Sequence, residues 1–444
     1  MFDLVLKNCT IVNEDKIFES DIGIKGNRIE KIASSIGEEA KEIIDLSGKI
    51  VIPGVIDDQV HFREPGLTHK GEIATESRAA LAGGITSYFE MPNVNPTTTT
   101  NELLDKKFDL AKQKSCANYS FYLGASNSNI EEIKKININK ACGLKVFMGA
   151  STGDMLVDNE KTLEDIFNYA PVNIVTHCEN TPRILEKEAA FAEKYGDSVS
   201  PIHHPYIRDE ESCYLSSSLA VGLAKKYNSN LHVLHLTTEK EMSLFTKGDI
   251  DGKNITAEVC VHHLFFSEND YEAKGNFIKC NPSIKKESDR LALVNAVKND
   301  LIDIIATDHA PHTLEEKQQH YLKAPAGLPL VQHMLPTLLD FYKKNIFSLE
   351  MIVRKTSHNI AKRFQIKDRG YIREGYYADL AIIDLDASLT VNKENVLYKC
   401  GWSPFEGYTF PASVYATILN GSLVYKDGDF IENPLGMQLE FDRS

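Results

Sequence analysis

Five of the fourteen histidines in this 444-residue chain stand at the ends of short apolar runs, where a side chain can leave a sheet and meet others. They are His61 in QVHF, His177 in VTHCEN, His235 in VLHLTT, and His309 and His312 in ATDHAPH. A lone histidine in such a place is more often a hydrogen-bonded structural residue than a ligand. Several from separate runs suit a hydrolytic metal site, because catalytic zinc uses neutral imidazoles and carboxylates and keeps a position open. Such an ion brings the pKa of bound water to about 7 and polarises the carbonyl under attack. Lys145, in GLKVFMGAS, is a less obvious member. A lysine inside an apolar run needs a partner or loses its charge, and burial favours its neutral, nucleophilic amine. Cys178 and Cys260 lie beside motif histidines but read as small buried hydrophobes.

Groups so far apart in sequence need a scaffold that brings run ends together. Eight strand-like runs qualify: KIVIPGVIDDQVHF, GITSYFEMPN, NYSFYLGAS, GLKVFMGA, VNIVTHCEN, NLHVLHLTT, NITAEVCVHH and LIDIIATDHAPH. Each is followed by helix-forming sequence, such as TLEDIFNYA or ESCYLSSSLAVGLAKKY. Continuous apolar strands alternating with helices predict a parallel sheet. Eight such units predict a (β/α)8 barrel over residues 52–365, an α/β fold that places catalytic groups at the C-terminal strand ends. The two chain ends differ from this middle and resemble each other. FDLVLKNCTIV and DIGIKGNRIEKI near the start, and GYIREGYYADLAIIDLD and VYATILNGSLVYKDG near the end, read as short strands. Asn420–Gly421 is a hairpin turn signal. Residues 1–51 and 366–444 are therefore expected to pair into one small β-sandwich.

Composition narrows the partners. A net charge of −14 disfavours nucleic acid and anionic membrane surfaces, and no apolar run is long enough to cross a bilayer. A small anionic substrate remains compatible, since metal and arginine can make a pocket locally positive. The eight cysteines are scattered and the start lacks a signal-peptide pattern, so reduced thiols in a cytoplasmic protein are expected. A homodimer is the default assembly.

The motifs resemble those of the cyclic amidohydrolases, dihydroorotases in particular. PGVIDDQVHFREPG at 53–66 is similar to the family's strand-one motif and MPNVNP at 91–96 to its strand-two motif. VTHCEN, LHVLHLTT, AEVCVHH, KCNPSI and ATDHAPH follow in family order, and the likeness spans the whole chain. REPG, MPN and TDHAPH together are specific where each alone would be weak. The resemblance implies zinc, one ion or two. His61 and Asp308 would hold the more buried ion, and His177 and His235 the second. Lys145, carboxylated by carbon dioxide, would bridge them, with Asp154 the rival bridge. Asp308 would also be the acid/base that takes a proton from the attacking water and passes it to the leaving ring nitrogen.

For the substrate, the resemblance implies that Arg63, Asn93 and Asn281 receive a ring carboxylate, with His312 on the second side. The backbone of Ala326 and Gly327 would meet the ring amide. Arg63 offers a planar bidentate donor suited to a carboxylate. Hydantoinases and allantoinases share the ligands, so Arg63 is what separates dihydroorotate from their rings. One departure stands out: the family's His-x-His reads Gln59-Val60-His61 here. A neutral amide oxygen is a poor zinc ligand beside imidazole. Whether two ions are held is therefore in doubt, the more buried one being weakened, and a catalytically dead homologue serving as an assembly partner is the remaining alternative.

Overall fold

The computed structural model describes residues 1–150, 155–431 and 435–443. Its centre is a parallel sheet of eight strands in sequence order. They are β1 (Val55–Val60), β2 (Ile85–Glu90), β3 (Asn118–Gly124), β4 (Gly143–Phe147), β5 (Ile174–His177), β6 (Leu231–Val233), β7 (Ile255–Cys260) and β8 (Ile304–Ala306). The ring closes just past the strand ends, where Val60 bridges His309 and the His61 N–H donates to the His309 carbonyl at 2.7 Å. All eight expected runs are strands of this barrel. Their side chains are buried on both faces, as continuous apolar runs between two layers require.

Helices cover the outside, and several of the longer ones start where a side chain caps the first turn. Thr100, Asn159, Asn180 and Asp209 each accept an N3 amide at the heads of Asn101–Lys114, Glu160–Tyr169, Thr181–Tyr195 and Glu210–Tyr227. Two expected helices shrink. After β3 there is only Ile130–Ile133, and after β6 only a 3₁₀ segment, Lys240–Leu244. The intervening sequence there is polar and offers no sustained apolar stripe to bury.

Strands from both chain ends form a second, nine-stranded sheet. Its join is antiparallel pairing of Ile50–Pro53 with Leu380–Asp384. Leu6, Ile11, Ile22 and Ile24 from the first end share one core with Leu380, Ile382 and Ile418 from the second. Asn420 (φ 49°) and Gly421 (φ 85°) make the expected tight turn. A side chain on Gly421 would sit 2.1 Å from the Gly26 carbonyl oxygen.

Three segments fall outside the expected boundaries. The run KIVIPGVIDDQVHF splits at Gly54, so Ile50–Pro53 joins the terminal sheet and only Val55–Val60 enters the barrel. A Cβ at Gly54 would lie 2.2 Å from Thr86 Oγ1, so the chain passes between layers where only glycine fits. Residues 389–410 leave the terminal sheet. Their Val391, Phe405 and Phe410 pack on Phe266, Ile278 and Leu328 beside the barrel mouth. Residues 435–443 run beneath the N-terminal ends of the strands, where Tyr119 donates to the Met437 carbonyl and accepts from Leu439 N–H. Leu439 and Phe441 join Ile56, Phe89, Tyr122, Val175 and Phe364 there in one buried cluster.

The tail thus closes one end of the barrel core. Leu439→Ala should cost about 2–5 kcal/mol, the usual penalty for emptying a buried leucine site. Urea denaturation with an unchanged m-value checks it; a loss below about 1 kcal/mol would show that the tail merely lies on a core complete without it.

Candidate active site

A cavity of about 180 Å³ opens at the C-terminal ends of the barrel strands. His61, Arg63, Asn93, Lys145, His177, His235, Asn281, Asp308, His312, Ala326 and Gly327 all line it, together with Gln59. His309 does not. Its Nδ1 accepts the amides of Leu330 and Val331, and its Nε2 donates to Glu76 at 2.9 Å, making it a structural histidine behind the wall. A larger cleft of about 500 Å³ elsewhere is lined by charges that pair with one another, Arg183 and Lys187 with Asp209 among them, and holds none of the motif residues.

Four non-glycine cavity residues sit on left-handed backbone past strand ends: Arg63 (φ 69°), Ala150 (φ 52°), His235 (φ 37°) and Asp308 (φ 51°). The turn after β1 therefore carries Arg63 into the cavity, in place of simple alternation along a strand. Backbone in this region costs a non-glycine residue about 1–3 kcal/mol and persists where the surroundings enforce it.

Two groups of candidate ligands line the cavity, His177 with His235 and His61 with Asp308. His177 Nε2 donates to Glu179 at 2.8 Å, which leaves Nδ1 as an acceptor 3.0 Å from His235 Nε2. Burial lowers the pKa of both imidazoles, so both are neutral near pH 7. Two nitrogens at this separation match zinc–nitrogen bonds of about 2.0–2.1 Å to one ion. Glu179 was not expected from sequence, although its place two residues after His177 in VTHCEN is the signal. Burial opposes its charge, but Arg208 and His177 beside it hold the carboxyl well below the usual range. A carboxylate behind a ligating histidine fixes ring orientation and tautomer.

On the other side, His61 Nδ1 contacts Asn93 Oδ1 at 2.8 Å and must donate to it. Burial lowers the His61 pKa, so its Nε2 is then a bare acceptor 3.0 Å from Asp308 Oδ1, itself an acceptor. Two facing acceptors call for a proton or cation between them. Gln59 does not add a ligand. Its amide nitrogen donates to the same Asp308 oxygen at 3.1 Å, while its Oε1 faces the Cys260 thiol at 3.8 Å. Lys145 stands between the two sides, 1% exposed. No carboxylate among the described residues pairs with it, and burial brings its amine down to about 8 against the pull of Asp308 and Glu258. The rival bridge, Asp154, lies outside the described residues. One layer deeper, His232 lies 3.4 Å from Asp58 and 3.2 Å from Glu258. Burial opposes its charge, yet the flanking carboxylates raise it to about 9.

Arg63 closes the remaining wall. Its Nε donates to the Pro311 carbonyl at 3.1 Å, and its terminal nitrogen lies 3.1 Å from His312 Nε2. Glu64, its neighbour in sequence, is engaged instead by Lys114 and the Ile73 amide. No carboxylate among the described residues lies within ion-pair distance of Arg63, and burial pulls its guanidinium down to about 10.

The Amidohydrolase family model matches residues 50–424. The chain belongs to the amidohydrolase family. This amidohydrolase is 31% identical over 99% of its length to an allantoinase of Desulfitobacterium hafniense, covering 98% of it. It is 33% identical over 96% of its length to a dihydroorotase of Fusobacterium nucleatum, covering all of that protein. In structure it resembles an L-hydantoinase from Arthrobacter aurescens, with a TM-score of 0.93, 28% identity, and coverage of 99% and 100% of the two chains. The amidohydrolase barrel and the terminal β-domain are thus the expected fold.

The Gln59 geometry generates a metal prediction. Zinc counted after dialysis against graded chelator should show the ion at His177 and His235 held firmly and the more buried ion at His61 and Asp308 lost early. Gln59→His should retain that buried ion at chelator concentrations about tenfold higher or more, because imidazole is the better ligand. Equal retention in both proteins would show that the first position needs no ligand from residue 59.

Proposed function

We propose that this amidohydrolase is a dihydroorotase, interconverting N-carbamoyl-L-aspartate and (S)-dihydroorotate in pyrimidine biosynthesis. The observation that carries this reading is Arg63, a buried guanidinium on the cavity wall with no carboxylate partner among the described residues. A buried cation without a counter-ion is costly, and a ring carboxylate would remove that cost through charge-assisted bonds. Hydantoin and allantoin rings carry no carboxylate. For them the same arginine would stay uncompensated, although allantoinases and hydantoinases are among the similar proteins.

The other walls complete the fit. Asn281 Oδ1 is buried with no partner among the described residues, and Asn93 is anchored by His61. His61, His177, His235 and Asp308, with Lys145 as the bridge once carboxylated, would hold one or two zinc ions. Zinc bound there would acidify a water and polarise the ring carbonyl. Asp308 takes the proton of the attacking water and delivers it to the ring nitrogen as the amide bond breaks; in the cyclising direction the proton runs back. Arg63, Asn93 and Asn281 keep the ring still while it does so. Retention of Lys145, His177, His235 and Asp308 together speaks against an inactive assembly partner, for which Gln59 alone would argue.

Asp308→Asn should leave fold and zinc binding largely intact and bring turnover of dihydroorotate below about 1% of wild type, since shape survives and the base does not. Residual activity well above that level would place the proton elsewhere. Arg63→Met should cost about 2–4 kcal/mol in kcat/KM, roughly 30- to 1,000-fold, with dihydroorotate and far less with dihydrouracil or hydantoin. Equal losses on both would make Arg63 structural and favour the uncharged-ring activities.

A further inference from the structure

Lys317 is 1% exposed and has no carboxylate within ion-pair distance among the described residues. A buried ammonium of this kind is tolerated only if its hydrogens are all used. They are. Its Nζ donates to the carbonyls of Pro325 at 3.0 Å, Gly327 at 2.9 Å and Lys279 at 3.1 Å.

Pro325 and Gly327 flank Ala326, which lines the cavity. The other two carbonyls of this stretch are held as well. Lys279 Nζ donates to Ala324 O at 2.6 Å, and His312 Nε2 contacts Ala326 O at 3.0 Å. Three of the four consecutive carbonyls, 324, 325 and 327, therefore accept from the buried lysines Lys279 and Lys317.

The amides of this stretch are used too, with one exception. Ala324 N–H donates to His320 O and Gly327 N–H to Lys279 O, and Pro325 has none. The Ala326 N–H has no partner among the described residues. It belongs to the same peptide unit as the Pro325 carbonyl that Lys317 holds. In a planar trans peptide the two point in opposite directions, so fixing the oxygen on Lys317 fixes the hydrogen away from it. Burial brings the Lys317 amine down to about 7, and in its protonated form the charge on the oxygen also polarises the unit and strengthens the N–H as a donor.

We propose that Lys317 is a positioning residue that aims and polarises the Ala326 N–H as the donor to a substrate ring carbonyl. This rests on the dihydroorotase reading for the identity of the ring and on the structure alone for the clamp.

Two measurements on the zinc-loaded full chain separate those supports. In Lys317→Met, exchange of the Gly327 amide, followed without substrate, should accelerate about tenfold or more, because the segment loses two of its anchors. In the same variant KM for dihydroorotate should rise about 10- to 100-fold while kcat stays within about threefold and zinc content is unchanged. Lys317→Arg, which keeps cation and donors, should recover most of both. Should Lys317→Met fail to fold, Lys279→Met, which frees the Tyr321 and Ala324 carbonyls but leaves those of Pro325 and Gly327 held, should raise KM by a smaller factor, again with little change in kcat. Unaltered exchange in Lys317→Met would overturn the clamp. Faster exchange with an unchanged KM would overturn the role of Ala326 in binding. Wild-type protein inert toward dihydroorotate, with the clamp still seen by exchange, would overturn only the choice of ring.

Discussion

Charge buried in a low-dielectric interior must find a partner, give up its proton or wait for a ligand, and this constraint organises the whole barrel. Its N-terminal end obeys the simplest solution, an apolar plug of Ile56, Phe89, Tyr122, Phe364, Leu439 and Phe441. The middle carries the second solution, His232 compensated by Asp58 and Glu258. At the C-terminal mouth the terms are left open. There Lys145 and Arg63 lack carboxylate partners among the described residues, and His61 and Asp308 meet acceptor to acceptor. A site built this way has its binding energy prepared in advance, because each uncompensated group gains most when ion or substrate arrives.

Holding such groups in place falls to residues that do not touch the cavity contents. Glu179 and Arg208 orient His177, and Glu76 and two backbone amides keep His309 in the wall. Trp402, from the segment that leaves the terminal sheet, donates to the His312 carbonyl at 2.8 Å and ties the outer layer to the mouth. The left-handed backbone at Arg63, His235 and Asp308 persists at the mouth of the closed barrel, where the surroundings enforce it.

Gln59 shows how one substitution changes the balance. A histidine there would present a lone pair to an ion; the glutamine instead gives its N–H to Asp308 and rests its oxygen near the Cys260 thiol. The carboxylate is thereby held in position by a neutral donor. Kinship with dihydroorotases, allantoinases and hydantoinases together is what such a scaffold produces, since the ring-opening chemistry lives in shared strand ends and the choice of ring in a few side chains.

Much of this was legible in the chain itself. Eight apolar runs with polar ends determine a parallel barrel, because continuous burial on both faces permits little else, and the Asn420–Gly421 turn declares its own backbone. The eleven expected cavity residues could be named since motif spacing survives folding. Sequence could not tell which way each side chain leaves a strand end. His309 looked like its neighbours until the ring closure turned it toward Glu76, and Lys317 and Lys70 matter through partners that the local sequence does not place beside them. Nor could it show that KIVIPGVIDDQVHF serves two sheets, since the break at Gly54 is dictated by Thr86 pressing against it. Periodicity and local turn chemistry are properties of neighbouring residues, and the sequence by itself determined those. Compensation of buried charge is a property of three-dimensional neighbours, and only the tertiary structure decided it.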